Sequence, residues 1–105
     1  MVAWVYLIIA GIFEVIWVIC LKYSEGFTRL IPSIITLITM SCSFLLLSQA
    51  MKNLPMGTAY AVWTSIGTLG ATALGILIFN ESINPIRMIC LILIVIGIIG
   101  LKLTS

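Results

Sequence analysis

An all-α membrane protein with four transmembrane helices is the fold class this sequence predicts, and three observations lead there. Hydrophobic residues make up 63% of the 105 positions and charged residues only 8%, against about 25% charged in an ordinary soluble domain. A soluble chain this short has a large surface for its volume and must cover it with polar groups, which are missing here. The apolar character also returns in four stretches of roughly 20 residues, the length of a helix that crosses about 30 Å of hydrocarbon. A β-barrel is excluded, because its strands read as alternating segments of about ten residues rather than unbroken apolar runs.

The four helices are expected at about 2–21, 30–49, 58–79 and 86–103, together forming one domain over 1–105. Each break has the residues that a chain reversal needs. Lys22, Tyr23, Ser24, Glu25 and Gly26 close the first segment, and Pro32 falls in the first turn of the second, where proline is tolerated. Lys52, Asn53, Leu54, Pro55, Met56 and Gly57 separate the second segment from the third. Before the fourth, Asn84 reads as a helix cap and Pro85 as the first helical residue. Loops this short make consecutive helices antiparallel neighbours. The start, Met1 to Trp4, has no basic side chain, so a signal peptide is not expected.

Orientation is poorly specified. Four spans place the N-terminus, the second loop and the C-terminus on one side, with Lys52 and Lys102; the other side carries Lys22, Arg29 and Arg87. Lys and Arg bias over short loops sets membrane orientation. So even a distribution predicts insertion in both orientations, with a single orientation that places loops one and three inward as the alternative, since the difference of one points that way.

Glu14 is the central functional candidate. It is the only acidic side chain well inside a span, since Glu25 and Glu81 fall in loops, and no Lys or Arg lies mid-span to neutralise it. An ionised carboxylate in hydrocarbon costs several kcal/mol or more, so Glu14 must be protonated, paired or facing a polar cavity. The bland reading is a neutral, hydrogen-bonded residue that fixes helix packing. The functional reading is a carboxylate that binds a cation, a proton, or each in turn. On its helical face lie Leu7, Ala10 and Gly11 on one side and Trp17, Val18 and Leu21 on the other. Trp17 brings an indole N–H and a π face beside the acid.

The other segments add donors, rings and small residues. The second carries hydroxyls at Thr36, Thr39, Ser41, Ser43 and Ser48. Hydroxyls within a membrane helix often bond only their own helix carbonyls; Ser43, near mid-span, is the one placed to donate to a carboxylate. The third carries Tyr60 and Trp63 at i and i+3, then thins to Gly67, Gly70, Ala71 and Gly75. Gly67, Ala71 and Gly75 form a small-residue stripe suited to close helix contact, and Gly67 with Gly70 marks the expected place for a bend. The fourth has Gly97 and Gly100 and no charged or hydroxyl side chain between Arg87 and Lys102, which suits a helix–helix contact in an oligomer. A two-fold dimer would supply eight helices and two Glu14 carboxylates around one cavity, and an inverted partner would place that site near the midplane.

Enzymatic readings find no support. Cys20, Cys42 and Cys90 lie inside apolar runs without a CxxC pair, and there is no histidine to complete a zinc set. No Walker motif is present. No cofactor and no nucleic-acid partner is expected.

These residues carry a resemblance. Gly11-Ile12-Phe13-Glu14-Val15-Ile16-Trp17, Leu21-Lys22-Tyr23-Ser24, the run from Leu54-Pro55-Met56-Gly57-Thr58-Ala59-Tyr60 to Ala61-Val62-Trp63, and Gly97-Ile98-Ile99-Gly100-Leu101-Lys102 are the relevant segments. Over residues 4–104 the chain resembles the small multidrug resistance family of proton-coupled exporters, and within it the guanidinium exporter subtype. The resemblance implies an antiparallel, dual-topology homodimer in the plasma membrane, with a proton- and substrate-binding carboxylate site made by Glu14 of both subunits. It implies Trp17 and Ser43 as hydrogen-bonding neighbours of Glu14, Tyr60 and Trp63 lining the cavity, and Gly11 leaving space beside the carboxylate. The glycines at Gly67 and Gly70 would supply flexibility, and Gly97 and Gly100 the dimer contact. The expected partners are guanidinium-type cations, protons as the coupling ion, the lipid bilayer and a second copy of the chain. Two other readings stand beside this one: a broader exporter of flat hydrophobic cations stacking on Trp63 and Tyr60, and a small structural or regulatory membrane subunit locked by Glu14.

Overall fold

The computed structural model describes residues 2–104; Met1 and Ser105, the two ends of the expected 1–105 domain, lie outside the described residues. It contains four helices: α1 (Val2–Tyr23), α2 (Leu30–Ala50), α3 (Met56–Phe79) and α4 (Pro85–Thr104). All four are long and apolar enough to cross a bilayer, so the chain is a four-span membrane protein. The third helix begins at Met56, ahead of the expected position 58. Pro55 stands at its N-cap with extended backbone (φ −56°, ψ 141°) and accepts from Ala59 N–H at 3.0 Å, drawing Met56 and Gly57 into the first turn. At the start of α4, Asn84 Oδ1 accepts from Ile86 N–H at 2.8 Å, so Asn84 caps the helix and Pro85 is its first residue, as the sequence suggests.

The first reversal and the end of α3 rest on backbone geometry. Gly26 has φ +75°, and its neighbours Glu25 and Phe27 share the left-handed region at +50° and +67°. Ser24, fully buried, ties this turn together: its Oγ donates to the Leu21 carbonyl at 2.6 Å and accepts from Phe27 N–H at 3.1 Å. Asn80 ends α3 in the left-handed conformation (φ 54°, ψ 37°), and Glu81 N–H returns to the Gly75 carbonyl at 3.2 Å. That return sets the Glu81 carboxylate against Gly75, where a Cβ would collide with it.

Helix α1 lies between α2 and α3, and α3 alone connects α4 to the rest by close backbone approach. The apolar core gathers toward the second-loop end, from Leu7, Ala10, Leu47, Ala50, Ala59, Val62 and Trp63. Farther along α1 and α3 the buried groups turn polar, with Glu14 and Thr72. Helix α4 contributes no buried residue at all. Its ends are tethered, by Arg87 to Glu81 and by the Lys102 ammonium 5.5 Å from the centre of the Trp4 ring. Between them Ile89, Ile92, Leu93, Ile96 and Ile99 stand exposed. The backbone forms a slab of 41 × 35 × 16 Å.

Candidate functional site

Glu14 sits at mid-length on α1 and is 8% exposed. What makes room for it is Gly67 on α3: a Cβ there would overlap the Glu14 carboxylate, including Oε1. The acid is seated against bare backbone of a neighbouring helix. The space expected beside the carboxylate at Gly11 is filled otherwise, because the Ile66 side chain of α3 lies directly over Gly11. The two glycines therefore act as a reciprocal pair across the α1–α3 seam, one receiving an apolar side chain and the other the acid. One turn further, Gly70 receives Val15. Helix α3 runs unbroken through Gly67 and Gly70, and both glycines have close contacts that their lack of a side chain explains directly.

Two buried polar atoms near this seat have no hydrogen-bond partner among the described residues: Glu14 Oε1 and Trp17 Nε1. Buried polar groups are almost always paired, and each exception asks for a ligand, a water or a missing partner. One orphan is an acceptor and the other a donor, and they sit three residues apart on one helix. The Trp17 N–H expected beside the acid is thus free for another group.

The hydroxyls of α2 divide sharply. Thr36, Thr39 and Ser41 donate to their own helix, at the carbonyls of Pro32 (2.7 Å), Ile35 (2.7 Å) and Leu37 (2.8 Å). Ser43 alone among these reaches across: its Oγ donates to the Ala10 carbonyl of α1 at 2.7 Å and accepts from Trp63 Nε1 of α3 at 2.9 Å. One fully buried hydroxyl joins three helices. The structure connects Ser43 to Trp63 and to the α1 backbone one turn from Glu14, rather than to the carboxylate, because its only proton is used on Ala10. Substituting Ser43 by Ala should orphan the buried Trp63 N–H and destabilise the protein by about 1–3 kcal/mol. Ser41→Ala, which removes only an exposed own-helix bond, should stay within about 0.5 kcal/mol. Thermal unfolding of both variants in detergent checks this.

Around this node the rings form a ladder. Trp17 meets Phe44 edge-on at 6.4 Å, Phe44 meets Trp63 at 5.8 Å, and Trp63 meets Tyr60 at 5.8 Å. Trp63 is buried while Tyr60 is exposed. Phe44 links the two tryptophans, and the sequence reading did not single it out. The signal available was its position directly after Ser43, on a helix whose other large side chains are aliphatic. Gly97 and Gly100 lie apart from all of this, with open space where a Cβ would project from either.

Four membrane spans around a carboxylate seated between helices, with an orphaned oxygen and an orphaned indole N–H, define a polytopic membrane protein with a polar site inside the bilayer. The family profile described as Small Multidrug Resistance protein matches residues 2–94. Over 103 residues the chain is 56% identical to the guanidinium exporter of Escherichia coli (strain K12), covering 98% of both chains. It is 60% identical over 103 residues to the guanidinium exporter of Yersinia pseudotuberculosis serotype I (strain IP32953), covering 98% of this chain and 99% of the relative. The guanidinium exporter of Citrobacter freundii is 58% identical over 103 residues. The chain belongs to the small multidrug resistance family. It is a multi-pass protein of the bacterial cell membrane.

Proposed function

We propose that this protein is a secondary antiporter that exports guanidinium and small substituted guanidinium cations in exchange for protons, with Glu14 binding both. The observation that carries the reading is the Glu14 carboxylate, 8% exposed, with Oε1 unpartnered. The cations Lys22, Arg29, Lys52, Arg87 and Lys102 all stand in end turns of helices or in the loops between them, so an internal counter-ion does not account for it. A guanidinium is planar and presents paired N–H donors that suit carboxylate oxygens in a bidentate fork. A proton and a cation competing for the same carboxylate are coupled without a separate proton path. The names of the relatives, guanidinium exporters at 56–60% identity over nearly the whole chain, support this choice of substrate.

In this reading Trp17 supplies a donor beside the acid, Ser43 and Trp63 brace the wall, and Tyr60 forms the exposed lip. The ring ladder from Trp17 to Tyr60 favours a second reading, export of flat hydrophobic cations that stack on aromatic faces. Proteoliposomes decide between them. Under an imposed proton gradient, labelled guanidinium should accumulate uphill and a bulky aromatic cation should not; the reverse preference would favour the second reading. A structural subunit would move neither.

The functional unit in this proposal is an antiparallel homodimer. Supporting it are the α4 surface with no buried residue and the open space at Gly97 and Gly100. Gly97→Leu should lower crosslinked dimer in detergent while membrane insertion persists, since a bulky side chain would hold two helices apart. An unchanged dimer would move the contact away from Gly97. Dual insertion is tested by a single cysteine in the first loop, in a background without Cys20, Cys42 and Cys90. Comparable labelling from both membrane faces is expected, and adding two lysines at the C-terminus should tilt the balance. Labelling from one face alone would rule dual insertion out.

A further inference from the structure

Beyond the Glu14 seat, toward the first- and third-loop end, the α1–α3 seam opens into a cavity of about 170 Å³. Its walls are apolar at Val18, Ile19, Ala71 and Phe79, and its rim carries Lys22 and Arg87. Both cations turn to a single carboxylate. Lys22 Nζ stands 3.4 Å from Glu81 Oε2, and Arg87 Nη2 stands 3.5 Å from Glu81 Oε1. These separations exceed the 2.7–2.9 Å typical of charge-assisted N–H···O bonds. Arg87 Nη1 also reaches the Ser82 carbonyl at 3.5 Å, and the Lys22 ammonium lies 4.4 Å from the centre of the Phe79 ring. An ammonium has three donors and a guanidinium five, so most of them are still unused. The rim keeps a net charge of +1.

A third donor faces the same space. Thr72 lines the cavity and is 8% exposed. Its hydroxyl makes no hydrogen bond to the described residues, although Ser65 and Thr68 on the same helix return theirs to backbone carbonyls. Position completes the argument. Lys22 belongs to the last turn of α1 and Arg87 to the first turn of α4, with side chains 54% and 40% exposed. Helix ends of this kind lie where headgroup phosphates meet the hydrocarbon edge.

We propose that this cavity binds an anionic phospholipid. The phosphodiester accepts from Lys22 and Arg87, and a polar oxygen of the glycerol region accepts from Thr72. The start of an acyl chain lies along Val18, Ala71 and Phe79. A free anion would use the cations but leave the apolar walls in water, which is why the lipid is the favoured source. The site is separate from the exporter chemistry and does not depend on it.

Native mass spectrometry of the full chain, released from micelles containing equal phosphatidylglycerol and phosphatidylcholine, tests the assignment. The wild type should retain phosphatidylglycerol over phosphatidylcholine by about tenfold, the scale of one or two charge-assisted hydrogen bonds. Lys22→Gln combined with Arg87→Gln should bring the two lipids to near parity. Thr72→Val should weaken retention of both, and the charge-keeping pair Lys22→Arg with Arg87→Lys should keep the preference. Raising the salt concentration should erode the wild-type preference, a measurement that needs no variant to fold. Equal retention by the wild type, a preference untouched by salt or by the double Gln variant, or displacement of the lipid by inorganic phosphate would each overturn the proposal.

Discussion

Replacing Glu14 by Gln is expected to leave a folded membrane protein whose proton-driven guanidinium accumulation falls to that of empty liposomes. Gln keeps the size of the side chain and can still hydrogen-bond, so the seat against Gly67 survives. It cannot ionise, so neither a proton nor a cation is held by charge. In the wild type, protons and guanidinium compete for one acid, so guanidinium binding should release protons. By linkage, its apparent affinity should fall as the pH is lowered. Calorimetry in buffers of different ionisation enthalpy counts the released protons, and in the Gln variant that count should be zero. Glu14→Asp keeps the charge on a shorter arm and should retain part of the binding with an altered pH dependence. Uphill export by the Gln variant would sink the carboxylate mechanism.

Gly67→Ala should be the most damaging single-methyl change in the protein. A Cβ at this position would overlap the Glu14 carboxylate, so the acid must swing out of its seat or the helices must separate. Overpacking of this kind costs about 1–3 kcal/mol. Here the group displaced is the one proposed to bind both ions, and transport should drop by about tenfold or more, the equivalent of ~1.4 kcal/mol. Gly70→Ala is the control. Its added methyl would press on the Val15 side chain, which should lower stability with a smaller effect on transport. If the two glycines served only as a bend, the two variants should behave alike. Equal losses of transport at equal stability would therefore favour flexibility over seating. Gly100→Ala, with open space around it in the protomer, should leave protomer packing unchanged.

Much of this molecule was legible because the bilayer is an unforgiving solvent. Four apolar runs separated by Gly26, Pro55 and the Asn84–Pro85 pair can satisfy their backbone groups in hydrocarbon only as helices. The described structure has those four, with Asn84 capping the last. Glu14 stood out for the same reason, since one carboxylate in a span cannot be hidden by averaging. Packing partners left no comparable mark. Among Thr36, Thr39, Ser41 and Ser43 the sequence set Ser43 apart only by its depth in the span; the other three turn back to their own helix. Ser43 leaves because α1 and α3 bring an acceptor and a donor within 3 Å of it. Gly11 sits beside Glu14 in sequence and suggested itself as the gap, while the gap is Gly67, on another helix.

The sequence by itself determined that the chain spans a membrane four times, and that it carries one acid with no internal counter-charge. Both follow from the transfer free energy of individual side chains, a property of composition and order. Tertiary structure alone decided that Gly67 and not Gly11 receives the carboxylate, that Ser43 braces Trp63, and that Phe44 joins the two tryptophans. It also decided that Lys22 and Arg87, which read in the sequence only as orientation signals, converge on Glu81 at the rim of a cavity beyond the Glu14 seat. These outcomes depend on which helix faces meet and at what depth. Small residues such as Gly11, Gly67, Gly70 and Gly75 permit many such registers, and only the assembled side chains select one.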